Sequence, residues 1–451
     1  MSYSAAQAIS AAGGVIPALR NAQAMPAIFP VTPEFTNWRS EQKSWRESVA
    51  FLDQSHHMTD LFIKGPDALK LLTDTGVNSF AKFAPGKAKQ FVAVNYEGYL
   101  IGDAVLFYLE ENSFDLVGWY MVIDWVQFVA ETGGYDVSFE RDSNSIMRES
   151  GDPVLYRYEI QGPNALALLE DVIGGPVPET KFFGMADFEI AGHTVRSLRH
   201  GMAGQPGFEL FGPWSEGDDV RAAILERGEK FNLVRAGAKA YSTANLESAW
   251  VPSPTPAIFT GHRMAEYLDW LPASRMGSLA GSFASENIEH FYNTPYDIGY
   301  GRTVKFDHDF IGREALEQIA ERDNREKVTL VWDPEDLAAT QQTLYEEGIP
   351  AKYIEFPKAR YGLFQVDAVQ VNGTTVGVSH DAGYITNEQA FISLASIDKE
   401  FAAPGTEVEL LWGEEPVSSK PAVEKHRQVT VKAVVQPAPY SSFARENYRK
   451  N

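Results

Sequence analysis

Apolar and polar positions along this 451-residue chain fall into short alternating runs and short stripes at helical spacing, the pattern of a mixed α+β protein. Leu61, Phe62 and Ile63 form a brief apolar strand closed by Gly65. Ala68, Leu69, Leu71 and Leu72 then make a helical stripe, with Pro66 suited to its first position. The unit recurs further on: Lys64–Asp74 (KGPDALKLLTD) is answered by Gln161–Asp171 (QGPNALALLED), which repeats the Gly, the Pro, the Ala, three Leu and the closing Asp. The second copy follows the alternating strand Tyr156–Ile160. Two copies are a duplication, not a solenoid. Two similar α+β halves facing each other would share a central cleft.

Other elements follow from the same patterns. Lys89–Leu109 reads as a hairpin turning at Tyr96-Glu97-Gly98, its second strand interrupted by Asp103, and Phe114–Val117 as a strand. Asp124–Thr132 is a helix stopped by Gly133-Gly134, Phe188–Leu198 a hairpin through Ala191-Gly192-His193, and Val220–Arg227 a helix. Arg235–Trp250 is helical at its ends, and Tyr296–Leu316 is a strand, a turn and a helix. Phe35–Trp45 is expected to be a strand or turn packing Trp38 and Trp45, and the Ala-rich residues 1–27 a helix on the outside. A polar break at Asp323–Glu326 opens a run of short strands patterned like a small β-barrel. The expected divisions are an N-terminal extension packing on the core (1–47), a first α+β half (48–150), a second (151–322) and a β-barrel domain (323–451).

Composition narrows the chemistry. The chain has no cysteine, which excludes disulfides, thiolate nucleophiles, Cys-ligated zinc and Fe–S clusters. It has no apolar run of membrane-spanning length and no leader pattern at Met1, so the expected location is the cytoplasm. A formal charge of −22 argues against nucleic acid or acidic membranes as partners, and an anionic substrate would need a locally basic pocket.

The densest chemical signal is Gly201–Pro213 (GMAGQPGFELFGP), a glycine-rich turn running into an apolar strand. Glu209 lies between Phe208 and Leu210; it is either an exposed Glu on a half-buried strand or a carboxylate offering two acceptors to a flat ligand with adjacent N–H donors. His56 and His57 are adjacent, so on an extended strand only one faces a cleft. With Asp60 they make a poor metal constellation, and no metal is expected. Tyr241 is either a packing tyrosine or an acid with an unperturbed pKa of about 10.

Taken in order, Phe51–Met58, the two GPxA units, PGFEL, AG…NLES, the Tyr296–Leu316 block, VGVSHDAG and PGTEVEL resemble the glycine-cleavage T-protein family of tetrahydrofolate-dependent methyl and aminomethyl transferases. The resemblance implies a three-domain ring around a central folate channel, with Glu209 holding the pterin of tetrahydrofolate, beside Phe208 and Asp103. Three departures bear on the branch. An Asp-Asp pair is reduced to Gly102-Asp103, an Asn gives way to Gly118-Trp119, and Tyr241–Glu247 carries a short insertion. The QSHHM and AYSTANLESAWVPSP segments are similar to bacterial aryl O-demethylases acting on vanillate, 3-O-methylgallate and syringate, and the missing Arg near Trp119 leans toward syringate.

That resemblance implies a small lignin-derived methoxyaromatic acid as partner. Tyr241 becomes the proton donor to the departing phenolic oxygen, tuned by His57 as a neighbouring cation. Gln54 would bond phenolic oxygens, Trp119 and Trp250 would line the substrate site, and Arg199, His200, His262 or Arg263 would meet the carboxylate. The alternatives are an aminomethyltransferase, a sulfonium demethylase and a non-catalytic folate-binding scaffold.

Overall fold

The structure is a computed structural model and describes residues 3–24, 29–414 and 419–447. Three β units carry it. The first is a five-stranded antiparallel sheet in the order Lys87–Val94, Leu100–Glu110, Ser113–Gly118, Thr59–Lys64, Ser138–Asp142, with helices Ala68–Thr75 and Tyr120–Thr132. The second is a six-stranded sheet in the order Leu233–Ala236, Val49–Asp53, Leu155–Gln161, Gly207–Pro213, His193–Arg199, Met185–Ile190, with helices Ala165–Ile173 and Gly217–Gly228. The third is a barrel of six strands, closed where Thr374–Ile385 pairs with Ala390–Ile397, and the short Lys358–Ala359 strand adds to its edge.

The duplication is visible in the backbone. Gly65 and Gly162 adopt φ of +138° and +134°, and a Cβ on either would sit 2.4 Å or 2.6 Å from a neighbouring carbonyl oxygen. Only glycine fits both turns. Each helix starts after an equivalent N-cap, Asp67 or Asn164, so Pro66 and Pro163 lie in the turn and not at the first helical position.

Several elements depart from expectation. Trp38–Glu47 is a helix, capped by the Asn37 side chain accepting from Ser40 N–H at 3.0 Å. Trp38 and Trp45 are one face of it, two turns apart. The helix expected from Asp124 begins at Tyr120. Tyr296–Leu316 has no strand; it is a series of turns bridged once to the first unit through Val304 and Asn78, followed by helix Arg313–Ala320. Val49–Asp53 precedes the first sheet in sequence yet sits in the second, parallel to Leu233–Ala236 and antiparallel to Leu155–Gln161. The extension's helices Ala5–Ala12 and Val15–Arg20 bury Ala5 and Leu19 in the first unit's core.

The two sheets meet through Phe107 and Val117 on one side and Leu198 and Phe211 on the other. Alternation along Gly207–Pro213 decides what enters that space: Phe208 and Leu210 pack in the second unit's helix-covered core, while Glu209 and Phe211 face the other way.

Candidate active site

Arg157 is the charge at the centre of this junction. It stands on the second sheet, 2% exposed, between the rings of Phe107 (5.2 Å) and Phe211 (4.9 Å). Its guanidinium donates to Asp115 at 2.7 Å, to Glu209 at 3.0 Å and to Asp60. Asp60 and Asp115 belong to the first sheet, so one arginine ties the two halves together. Asp115 is pushed well up by burial and by Asp60, with which it also hydrogen bonds. Burial likewise raises Glu209, against the pull of Arg157. Arg157 is not legible as a site residue in the sequence, because a polar position in an alternating strand reads as solvent-facing.

Glu209 lies directly across the ladder from Glu159. Glu159 accepts from Met202 N–H at 2.7 Å, and its other oxygen accepts from the Gln54 side-chain amide. Burial, with Glu209 adding to it, pushes Glu159 up to about 8. Gln54 is 1% exposed, and because its NH2 group is held by Glu159, its Oε1 is left buried without a partner. Gln54 therefore offers the cleft an acceptor. Glu159 also escapes a sequence reading, hidden in the same YRYEI strand as Arg157.

Tyr241 and His57 are brought together from helix Ala238–Tyr241 and the turn after Val49–Asp53. The phenol oxygen lies 2.8 Å from His57 Nε2, with the rings edge to face at 5.1 Å. Burial, then His56 and Arg157, push His57 down to about 4, while a hydrogen bond to the Gln54 backbone holds a proton on the ring. His57 is therefore neutral at neutral pH, and its Nε2 accepts a hydrogen bond from the Tyr241 O–H. This corrects the expectation of a cationic His57: buried beside Arg157, a second positive charge is too costly. Tyr241 is itself held well above its ordinary value by burial and by Glu159 and Glu209. His56 turns away and bonds Ser145 at 2.8 Å.

A second group gathers around Asp103. It is 7% exposed and accepts from the Trp250 indole N–H at 2.9 Å, from Gln90 and from Tyr300, while burial pushes it up to about 6. Trp250 thus meets Asp103 through its N–H. The Trp119 ring lies tilted against Tyr120 at 4.7 Å, and its indole N–H is buried without a partner among the described residues.

Phe208, expected beside the pterin, is corrected by the strand alternation: it packs against the helices. Arg199 pairs across the ladder with Phe208, on that same side, and donates to the Thr180 carbonyl at 2.8 Å; His200 lies beside Phe182 and Phe183. His262 and Arg263 are exposed, Arg263 over Tyr96. Among the described residues no group of three or more His, Asp or Glu could hold a metal ion, and no helix is long and apolar enough to cross a membrane.

Comparison with known proteins gives a consistent result. The chain is 48% identical over 453 aligned residues to syringate O-demethylase of Sphingobium sp. strain SYK-6, covering 99% of this chain and 98% of that protein. It is 28% identical over 404 residues to sesamin methylene transferase of a Sinomonas species, covering 83% and 86%. Glycine cleavage system aminomethyltransferase T from Bartonella henselae superposes with a TM-score of 0.63 at 17% identity, over 93% of this chain and 95% of that one, and so shares the fold. The family model described as the GCVT N-terminal domain matches residues 6–253, and with these relatives it shows that the chain belongs to the glycine-cleavage T-protein (GCVT) family.

Proposed function

We propose that this protein is a tetrahydrofolate-dependent O-demethylase acting on a methoxybenzoate, syringate first and vanillate or 3-O-methylgallate as related substrates. The observation that carries the reading is the Tyr241 hydroxyl at 2.8 Å from a neutral His57, on the same buried face as Glu159 and Glu209. The 48% identity to a syringate O-demethylase supports it.

The donor set fits a reduced pterin. One Glu209 oxygen is held by Arg157, and the other has no partner among the described residues; with the free Gln54 Oε1 the wall is acceptor-rich, and a pterin edge is rich in N–H donors. When bound, tetrahydrofolate supplies the N5 nucleophile that receives the methyl group.

The chain's own residues have three tasks. Glu209, fixed by Arg157, would hold the pterin ring and so set its orientation toward the methyl group. Gln54, fixed by Glu159, accepts a phenol O–H. Tyr241 turns its O–H from His57 to the departing oxygen, exchanging one neutral hydrogen bond worth about 1 kcal/mol for one to a developing anion. A proton donor held far above its usual pKa is a weak acid in water. The same burial and the same carboxylates also act on a phenoxide leaving beside it, so the two oxygens stay matched.

The reaction is tested by anaerobic incubation with tetrahydrofolate and, separately, syringate, vanillate and 3-O-methylgallate, following 5-methyltetrahydrofolate. Methyl transfer without oxygen establishes the class, and relative rates identify the substrate. If no aryl ether reacts, the reading fails, and sulfonium and lipoyl-aminomethyl substrates are next.

A further inference from the structure

A cation outside the expected carboxylate partners forms no ion pair among the described residues. Arg360 follows the barrel's edge strand Lys358–Ala359, half-buried. Its Nε donates to the Gly362 carbonyl at 3.1 Å and another guanidinium nitrogen to the Leu363 carbonyl. These are neutral acceptors that fix the orientation of the group. No carboxylate of the described residues forms an ion pair with it. Asp381 on the barrel, which feels its charge, is already engaged by Lys358 at 3.0 Å and Asn245 at 2.9 Å. In a chain of net charge −22, an immobilised guanidinium with no direct ion pair among the described residues is conspicuous.

Its position matters as much as its charge. The turn that holds it continues into Phe364, which packs over Gly277 beside Met121 at the start of helix Tyr120–Thr132. The charge acts on the Tyr120 hydroxyl of the first unit and on Asp381 and Lys358 of the barrel. Asn245, which holds Asp381, also donates to the Trp250 carbonyl at 2.9 Å, bringing in the second unit. Arg360 therefore lies where all three units meet. Against Tyr120 stands Trp119, with its buried and unpartnered indole N–H. Arg360 keeps Nη1 free of a hydrogen bond among the described residues, and the Trp119 N–H has no acceptor; on neighbouring elements, the two suit one ligand with two anionic oxygens.

We propose that Arg360, with the Trp119 indole N–H, receives a ligand carboxylate, that of the methoxybenzoate. This rests on the proposed reaction; the glutamate tail of tetrahydrofolate brings the same chemistry and is separated from it by the test.

Binding is measured by calorimetry on the full-length wild type, R360Q and R360K, each with syringate, with its uncharged counterpart 2,6-dimethoxyphenol, with tetrahydrofolate and with 6-methyltetrahydropterin, which lacks the tail. The expected result is at least tenfold weaker syringate binding by R360Q, partial recovery in R360K, and no change for the other three ligands. A loss confined to tetrahydrofolate keeps the carboxylate site and assigns it to the folate tail. Unchanged binding of both acids overturns the proposal, as does an equal loss for syringate and dimethoxyphenol, which would mean that Arg360 acts only through the fold. If the wild type binds syringate through Arg360 yet transfers no methyl group, the reaction fails and the site stands. If it does not bind syringate, the folate arm decides.

Discussion

Replacing Glu159 by Gln separates charge from hydrogen bonding at the centre of the site. In the folded protein Glu159 titrates at about 8, against an ordinary 4.5, because burial and Glu209 outweigh the donors Met202 and Gln54. Between those values the folded chain holds a proton that the unfolded chain releases. The stability contributed by a group raised in this way is complete below its unfolded pKa and is lost as the pH rises through the folded one. At about 1.36 kcal/mol per pH unit per proton, a rise from about pH 5.5 to about pH 7.5 costs the wild type about 2.7 kcal/mol that Glu159→Gln does not lose. Calorimetric unfolding of both proteins at both pH values reads this as a shift, in the variant's favour, of the difference between their midpoints. The transition to compare is that of the unit carrying the second sheet, since a three-unit chain need not melt in one step. A difference that stays constant with pH refutes the raised titration. Above about pH 8, where Glu159 is ionised and accepts from both Met202 and Gln54, the variant also reverses the local polarity. Its new side-chain amide can keep Met202 N–H on the carbonyl but then presents NH2 to Gln54, whose own amide must flip and offer the cleft a donor. A substrate phenol that Gln54 accepted would then meet an N–H, and kcat/KM for syringate should fall by about tenfold to a hundredfold. Unchanged kcat/KM would mean that Gln54 does not bind the phenol.

Three further outcomes follow. Tyr241→Phe should keep tetrahydrofolate binding and lower kcat by about 10²- to 10⁴-fold; a near-normal rate removes Tyr241 from the chemistry. Because His57 is held down to about 4, it is neutral above that value, so kcat/KM should show no inflection near the ordinary histidine pKa; an acid limb there that disappears in His57→Gln would contradict the buried, neutral ring. Arg157→Met leaves Asp60, Asp115 and Glu209 without their cation and should destabilise the protein by about 3–5 kcal/mol while abolishing folate binding. A variant that melts like the wild type would show that these carboxylates satisfy one another through protons.

What can be read in the sequence, and what cannot, divides along a physical line. Local rules expose the duplicated Gly-Pro turns, the hairpins through Gly98 and Ala191-Gly192, and the barrel strands, because turn chemistry and alternation are written within a few residues. Helix Trp38–Glu47 escapes them because its polar residues outnumber its apolar ones; only Trp38 and Trp45, seven apart, mark its face. The placement of Val49–Asp53 in the second sheet is a long-range pairing with Leu233–Ala236 that no local pattern reports. At the site, Tyr241, His57, Gln54, Glu209, Asp103 and Trp250 come from resemblance, and the structure places the first four around one buried row and the last two against each other. Arg157, Glu159 and Arg360 carry no motif. Their meaning lies in what faces them across a sheet junction or a domain boundary.

Those three residues give the cleft a direction. On one side the wall is made of acceptors: Glu209, Glu159 and the Gln54 carbonyl, with a single arginine shared among Glu209, Asp60 and Asp115. That is one positive charge against three carboxylates, of which Asp115 is pushed well up by burial and by Asp60. A donor-rich pterin edge and a phenol O–H suit such a wall, whereas a benzoate carboxylate would meet like charge at close range in a poorly screened interior. The neutral Tyr241–His57 pair adds no cation to offset it. An aryl acid bound with its phenolic oxygens toward Tyr241 therefore has its carboxylate directed away from the acidic row, and the site proposed at Arg360 is the cation that would receive it. Reversing that polarity, with Arg360→Glu, should do more than remove affinity for the acid. It should shift preference toward uncharged methoxyphenols, so that the ratio of kcat/KM for 2,6-dimethoxyphenol over syringate rises by at least a hundredfold. A ratio that stays the same, with folding intact, would mean that the ring binds in another orientation and that the acidic row does not orient it.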